Sequence, residues 1–222
     1  MVNVNKIQRD LDKYFKIKGS VQIDPSTGVV DVDGDVKVKY TAQRLAVKFG
    51  TVSGAFDCKD GQLTSLEGSP DHVGGSFYCQ DNQLTSLAGA PDHVGGDFDC
   101  YDNQLTSLEG APDHVGGNFY CAINQLTSVE GAPDHVGGSF YCYDNQLTSL
   151  AGAPDHVDGM FICTYSKSLP VLRLILYPSV DIWGAPPQLK DIINKYSGQG
   201  KPGALKAAVE LIRAGYKENA RW

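Results

Sequence analysis

Apolar positions recur along the middle of this chain with a fixed period of 21 residues. The repeating unit is clearest in residues 84–104, LTSLAGAPDHVGGDFDCYDNQ, and near-copies run through 63–83, 105–125, 126–146 and 147–167, the last one degenerate. A period of this length is typical of solenoids, in which each repeat forms one turn and stacks on its neighbours. The pattern therefore predicts one elongated body with a continuous core.

Within each unit, the segment Phe-x-Cys predicts a short strand with both residues facing inward, because residues two apart point to the same face. Strands of successive turns are expected to stack in parallel about 4.8 Å apart. The inward ladders are Phe56, Phe77, Phe98, Phe119, Phe140 and Phe161, and Cys58, Cys79, Cys100, Cys121, Cys142 and Cys163. The leucines of Leu-Thr-Ser-Leu fill the rest of the core. The Asn three residues after each of the four middle cysteines, at Asn82, Asn103, Asn124 and Asn145, is expected to satisfy backbone groups of adjacent turns.

The spacing F-x-C-x-x-N-x-L-x-x-L matches the L-x-L-x-x-N-x-L-x-x-L spacing of leucine-rich repeats. The predicted fold class is therefore an α/β repeat solenoid, a leucine-rich-repeat-like stack of short parallel strands. Gly-Ala-Pro and Val-Gly-Gly predict the return corners, since Gly accepts positive φ and Pro favours a turn. We divide the chain into an N-terminal cap (1–50), the repeat array (51–167) and a C-terminal cap (168–222).

Both caps have recognisable elements. Upstream, the pattern predicts a helix around residues 3–15, a hairpin over VQIDPSTGVVDVDG, and a divergent rung with Val36 and Val38 at the Phe and Cys positions. Downstream, SLPVLRLIL predicts an apolar closing strand or strand-helix. Helical patterns over Pro187–Tyr196 and Pro202–Ala214 follow, separated by the breaker SGQGKPG.

The repeat LTSLEGAPDHVGGNFYC resembles the short repeats of leucine-rich-repeat-like proteins encoded by large tailed bacteriophages. The flanks LAVKFGTVSGAFDC and GQGKPGALKAAVELIRAGYKENARW are similar as well, so the resemblance covers about residues 25–222. It implies a solenoid and brings no catalytic motif with it. The repeat is also similar to the short-repeat type of secreted bacterial effectors. However, Gly-Ala-Pro stands where those proteins have Leu-Pro, and no catalytic extension is present.

The charge distribution and the number of cysteines indicate which compartment and which kind of partner to expect. Residues 51–167 carry sixteen acidic residues and two lysines, whereas 1–20 and 187–222 are each net basic. An acidic array is expected to repel nucleic acid and to favour a protein partner with a basic surface. Six thiols without a secretory signal predict the cytoplasm, the host's if the chain is phage-encoded. No apolar run approaches the roughly 18–20 residues of a membrane span, so no membrane interaction is expected.

Cysteine and histidine are the residues most used in catalysis and metal binding. Here they recur at fixed positions of the repeat and do not mark a single site. Each Cys has an inward position, which favours core packing over disulfides, metal ligation or nucleophilic catalysis. His72, His93, His114, His135 and His156 each follow Asp on the return side of a turn. Such a column could chelate a transition metal, but it equally fits a solvated edge. We expect no cofactor, no metal and no enzymatic activity.

Variation between repeats concentrates beside the Phe-x-Cys strand, where tyrosine and aspartate alternate. Surface drift would explain the variation but not the preference for tyrosine, which is enriched at protein interfaces. Ile123 and Ile162 are expected to be exposed there, and Asp99 and Asp102 to steer a basic partner as rim charges. The candidate partner-binding residues are Tyr78, Asp81, Asp99, Tyr101, Asp102, Tyr120, Ile123, Tyr141, Tyr143 and Asp144.

Three functions remain open at this point. The first is a non-enzymatic phage-encoded binder that captures a host or phage protein, with inhibition of a host enzyme or defence as its outcome. The second is a structural or assembly component of the virion, with the solenoid as a stiff spacer. The third is an enzyme with its site in the caps, although those segments offer no paired catalytic residue types. The sequence leaves the oligomeric state open.

Overall fold

The computed structural model describes residues 2–39 and 43–222 and shows a parallel β-solenoid, with the described helices confined to its two ends. The predicted repeat solenoid with terminal caps is confirmed. The chain begins with helix α1 (Val4–Tyr14) and an antiparallel hairpin of β1 (Phe15–Ile23) and β2 (Val30–Val38). The sequence predicted this order of helix and hairpin.

Each rung of the array contributes two short strands rather than one. They are β3 (Phe49–Val52) and β4 (Phe56–Asp57), β5 (His72–Val73) and β6 (Phe77–Tyr78), β7 (His93–Val94) and β8 (Phe98–Asp99), β9 (His114–Val115) and β10 (Phe119–Tyr120), β11 (His135–Val136) and β12 (Phe140–Tyr141), and β13 (His156–Val157) and β14 (Met160–Thr164). Strands β4 to β14 with even numbers form one parallel column, with phenylalanine opposite phenylalanine, and strands β3 to β13 with odd numbers form another. The histidines, expected on the return side, therefore lie in a second strand column.

Strand β2 starts both columns because it is long enough to pair with two strands at once. Its first half, from Val30, pairs with β3, and its second half pairs with β4, so that Val36 stands opposite Phe56. This is the register predicted for the divergent rung. The hairpin thus acts as a template from which every later rung takes its alignment.

An aromatic ladder runs through the core from one cap to the other. The rings of Phe56 to Phe161 stack on their neighbours with centroids 5.0–5.5 Å apart. Phe49 continues the ladder edge-on at the N-terminal end, and Tyr177 stacks on Phe161 at 4.8 Å at the other end. All six cysteines are buried and free beside this ladder. Phenylalanine and cysteine face inward, as the sequence predicted.

The Gly-Gly corners lie between the two strand columns. The backbones of adjacent rungs come into close contact there. A Cβ on Gly95 would lie 2.3 Å from the carbonyl oxygen of Gly74, a distance that no side chain tolerates. Gly89, which begins the Gly-Ala-Pro corner, has φ +85°, a conformation that L-residues rarely adopt. Both corners therefore require glycine for a physical reason.

An asparagine ladder fixes the spacing of the rungs. The side-chain amide of Asn103 donates to the carbonyl of Cys100 and to that of Cys79 in the previous rung, at 3.2 and 3.1 Å. Its side-chain oxygen accepts from the backbone N–H of Leu84 at 3.0 Å. Asn82, Asn124 and Asn145 repeat the arrangement. The expectation that these amides satisfy adjacent turns is confirmed.

The C-terminal cap departs from the sequence prediction in one element. SLPVLRLIL was expected to contain the closing strand, but it holds a 3-10 helix, Leu172–Leu176, and the strand is β15 (Ser179–Trp183), parallel to β14. Helices α2 (Pro187–Tyr196) and α3 (Gly200–Arg213) then pack over this end. No helix among the described residues has the length and apolarity needed to cross a bilayer.

Candidate functional site

The outward surface of the even-numbered strand column, which β15 extends at its C-terminal end, carries the predicted binding residues, and we call it the tyrosine face. Because side chains alternate along a strand, the residue between Phe and Cys and the residue after Cys both point outward. The first row is Asp57, Tyr78, Asp99, Tyr120, Tyr141, Ile162 and Asp181, and the second row is Lys59, Gln80, Tyr101, Ala122, Tyr143, Thr164 and Trp183. The strand pairing thus brings together the tyrosines that the sequence singled out.

Tyrosine rings stack along the first row. Tyr120 and Tyr141 stand opposite each other on paired strands, and their ring centroids are 4.6 Å apart with nearly parallel planes. Tyr78 contacts a cation, with the Lys59 ammonium 5.6 Å from its ring centroid. Burial raises the pKa of Tyr120 to about 12, so its hydroxyl stays protonated at neutral pH. These tyrosines are half-buried.

The second row gains a tryptophan that the sequence analysis missed. Trp183 stands opposite Thr164 on β15, and its ring stacks on Tyr143 with centroids 4.1 Å apart. It is 41% exposed. The signal was present in Ser-Val-Asp-Ile-Trp, where the buried Val180 and Ile182 alternate with outward residues, but the closing strand was placed too early in the chain.

Small residues separate the aromatic side chains of the second row. Ala122 lies between Tyr101 and Tyr143 in the ladder and is fully buried. Burial, and then the nearby Tyr101, raise the pKa of Tyr143 above its ordinary value. The prediction that Ile162 is exposed is wrong: it is 5% exposed, and Ile123 is half-buried.

The outward aspartates beside the second row have a conformational cause. Asp81, Asp102 and Asp144 have φ values of +56°, +49° and +51°, and Ile123 takes the same conformation at +52°. Aspartate and asparagine tolerate this left-handed region better than β-branched or bulky residues do. Their recurrence at this position is therefore explained by the turn after the strand. Asp81, Asp102 and Asp144 are exposed at the edge of the tyrosine face.

The residues just before phenylalanine are likewise used within the fold. Asp97 accepts from the backbone N–H of Asn118 at 2.7 Å, and Asn118 accepts from that of Ser139 at 2.8 Å. Ser139 accepts from the N–H of Met160 at 2.9 Å. These side chains link one rung to the next. The variable positions before phenylalanine are therefore explained by hydrogen bonds within the fold. The tyrosines of the two rows are not explained in this way.

Asp99 is electrostatically distinct within the first row. The aspartates at the two ends of the row are ion-paired, Asp57 with Lys37 at 2.7 Å and Asp181 with Lys190 at 2.8 Å. Asp99 forms no ion pair with any described residue, and its carboxylate accepts from the backbone N–H of Tyr101 at 3.0 Å. Burial raises its pKa to about 6, against the lowering effect of that hydrogen bond.

The histidines and cysteines lie elsewhere. His114 and His135 stack at 4.9 Å on the odd-numbered column, and the Nε2 of His135 is 3.8 Å from Asp158. Within residues 2–39 and 43–222, no group of three or more His, Cys, Asp or Glu side chains is placed to hold a metal ion. Burial raises the pKa of every cysteine, that of Cys163 to about 12. The thiols are therefore poor nucleophiles.

No protein-family model, curated protein or solved structure shows a significant match to this chain. The resemblance to phage-encoded repeat proteins therefore remains a prediction from the sequence.

Proposed function

We propose that this chain is a non-enzymatic binding solenoid, encoded by a phage, that captures a host or phage protein through its tyrosine face. Capture would inhibit a host enzyme or a host defence. The partner presents a basic surface, and it meets the solenoid along the even-numbered strands. No cofactor or nucleic acid takes part.

One observation carries the proposal: aromatic rings cluster on an outward strand surface, outside the phenylalanine core. Tyr120 stacks on Tyr141, and Tyr143 stacks on Trp183; the three tyrosines are half-buried and Trp183 is exposed. Stacking in pairs restricts the ring positions before a partner arrives, so little side-chain entropy remains to be lost on binding. Tyrosine and tryptophan are also the residues that dominate binding energy at interfaces.

The charge of the array supports a basic partner. The array 51–167 carries sixteen acidic residues and two lysines, and the exposed Asp81, Asp102 and Asp144 lie at the edge of the tyrosine face. Such a charge accelerates association with a positive surface and repels the phosphates of nucleic acid. Host or phage origin of the partner follows from the sequence resemblance alone.

Affinity capture with matched variants tests the proposal. The chain is immobilised and exposed to bacterial lysates with and without phage infection, in parallel with Tyr120→Ala/Tyr143→Ala and with His93→Ala/His114→Ala. We expect one stoichiometric partner to be retained by the unmodified chain and by the histidine variant, and lost by the tyrosine variant. Tyr120→Ala alone should weaken binding by about 2 kcal/mol, roughly 30-fold.

Three results would count against this function. A partner retained equally by all three proteins would place the interface away from the tyrosine face. Loss of that partner on removing residues 187–222, with the tyrosine variant unaffected, would move it to the basic C-terminal helices. Co-purification of the chain with mature virions, without a captured host protein, would favour a structural role instead.

A further inference from the structure

We infer that Asp99, flanked by Tyr78 and Tyr120, is a binding site for an arginine side chain supplied by the partner. The inference rests on the proposed function and assigns a chemical identity to the centre of its interface. It also changes the role of Asp99 from the rim charge expected from the sequence to an anchor.

The first argument is the pairing of charges along the row. Asp57, Asp99 and Asp181 share the same outward position, and the two end carboxylates have lysine partners within 2.8 Å. The central carboxylate has none among the described residues, although it is half-buried. A carboxylate withdrawn from water without a cation is costly unless a partner supplies one.

The second argument is the set of groups around Asp99. In the strand register Asp99 stands opposite Tyr78 on one side and Tyr120 on the other, so ring systems flank the carboxylate along the row. A guanidinium is planar and weakly hydrated, and it stacks on aromatic rings while donating to a carboxylate. An ammonium ion is a compact, strongly hydrated charge and fits such a slot less well.

The third argument is a second free acceptor in the same patch. The side-chain oxygen of Gln80 is buried and has no hydrogen-bond partner among the described residues. Gln80 precedes Tyr101 in the second row, diagonally across from Asp99. A guanidinium carries five N–H donors, so an arginine bound at Asp99 has donors left for further acceptors on the neighbouring rung.

The other charges near Asp99 agree with a cationic ligand. Asp97 and Asp81 add negative potential, and Lys59, which lies near the Tyr78 ring, opposes it. Binding should also depend on pH, because Asp99 has to be ionised. Its pKa of about 6 in the free protein predicts that affinity for a guanidinium falls as the pH is lowered through that value.

The test uses a defined probe, the peptide N-acetyl-Gly-Arg-Gly-amide, and a control peptide with citrulline, which has the shape of arginine without its charge. Binding is followed by NMR at the Tyr101 backbone amide, which donates to Asp99. The variants are Asp99→Asn, whose side-chain oxygen still accepts from that amide, and Asp60→Asn, which removes an exposed charge from the same side of the solenoid.

We expect the arginine peptide to bind the unmodified chain about tenfold more tightly than it binds Asp99→Asn, with less than about a twofold change for Asp60→Asn. The citrulline peptide should bind no better than the arginine peptide binds Asp99→Asn. Equal binding of the two peptides, or equal effects of the two substitutions, overturns the inference.

The inference and the proposed function can fail separately. A captured partner that depends on Tyr143 but not on Asp99 leaves the function in place and removes the arginine site. Arginine binding at Asp99 without any partner that depends on the tyrosine face leaves the site in place and removes the function.

Discussion

Ile123 is the one β-branched residue among the described non-glycine positions with positive φ. The equivalent position in four other rungs is aspartate, with φ between +49° and +56°: Asp60, Asp81, Asp102 and Asp144. A left-handed conformation costs an L-residue about 1–2 kcal/mol, and least for aspartate and asparagine. Ile123 is therefore strained at a position next to Tyr101 and Tyr143, on the surface proposed to bind a partner.

Replacing Ile123 by asparagine should release this strain. We expect Ile123→Asn to raise the free energy of unfolding by about 0.5–1 kcal/mol, since partial loss of apolar burial offsets some of the gain. Ile123→Val keeps the β-branch and should give no increase. Chemical denaturation of the three proteins checks this, and destabilisation by asparagine would mean that packing of the isoleucine outweighs its backbone strain.

Asp99 gives a second residue-level prediction, on stability. Its pKa is about 6 in the folded chain, above the ordinary value of 3.8. A raised folded-state pKa means that the native protein binds the proton more tightly than the unfolded chain does. The contribution of Asp99 is thus fully favourable below about pH 4 and is lost as the pH rises through about 6.

Asp99→Asn removes the cost of holding this charge half-buried. At pH 7.5 we expect the variant to be more stable than the unmodified chain by about 1–2 kcal/mol, a value reduced for partial solvent exposure. The advantage should shrink as the pH falls towards 4, because the unmodified side chain is then protonated. Urea unfolding at several pH values measures the difference, and a difference that does not vary with pH would contradict a raised pKa.

At the scale of the elements, the phenylalanine ladder dominates the packing of the rungs. Phe98 is fully buried, with ring centroids 5.4 Å from Phe77 and 5.3 Å from Phe119. Phe98→Ala should cost about 3–5 kcal/mol, because the hydrogen-bonded backbone keeps the neighbouring rungs from closing the cavity. Tyr120→Ala, an outward substitution in the next rung, should cost only about 1 kcal/mol. Comparable losses for the two variants would show that the strand register is wrong.

The cysteine ladder makes a chemical prediction for the same elements. All six thiols are buried, and burial raises their pKa. Because the thiolate is the reactive form, Ellman's reagent should react little with the native chain and should detect six thiols after denaturation. Several fast-reacting thiols in the native protein, or none after unfolding, would contradict a reduced, inward ladder.

The sequence predicted those elements in which several side chains repeat a physical signal. The Phe-x-Cys strand, the asparagine turn and the register of Val36 against Phe56 all follow from two-residue periodicity and a fixed spacing. The His-Val strands were missed because a two-residue strand with one inward valine has no periodicity to detect. Strand β15 occurs once, outside the repeat, so Trp183 was missed with it.

For the candidate site, strand alternation was enough to bring the tyrosines together, but it could not show how they are used. Stacking of Tyr120 on Tyr141 and burial of Ile162 depend on side-chain conformations and on the added strand β15. The conformational origin of Asp81, Asp102 and Asp144 depends on backbone angles that the sequence does not display. The sequence could not show that Asp99 lacks the lysine partner that other aspartates of its row have, because the ion pair of Asp181 with Lys190 depends on the position of β15.

At the scale of the whole molecule, the two ends of the solenoid are covered differently. The C-terminal end lies under α2 and α3, and the buried Asn219 holds the last residues there by donating to the carbonyls of Ser166 and Leu169 at 3.1 and 2.8 Å. The N-terminal end finishes in β1, which among residues 2–39 and 43–222 pairs with β2 alone. Uncovered strand edges pair with other chains unless something opposes it, so β1 is the place where a second copy could add.

Lysines oppose that pairing. Lys16 and Lys18 are exposed on β1, and two copies meeting edge to edge would bring four ammonium groups together. We expect the chain to be monomeric, and we expect Lys16→Thr/Lys18→Thr to dimerise, because threonine favours strands and carries no charge. Lys201→Thr/Lys206→Thr removes the same charge from the exposed surface of α3 and should leave the chain monomeric. Sedimentation velocity at matched concentrations distinguishes the three proteins. A monomeric β1 variant would show that the geometry of the strand, and not its charge, protects the edge. The hairpin has an irregular point where Gly19 stands opposite Gly34, both with φ above +130°.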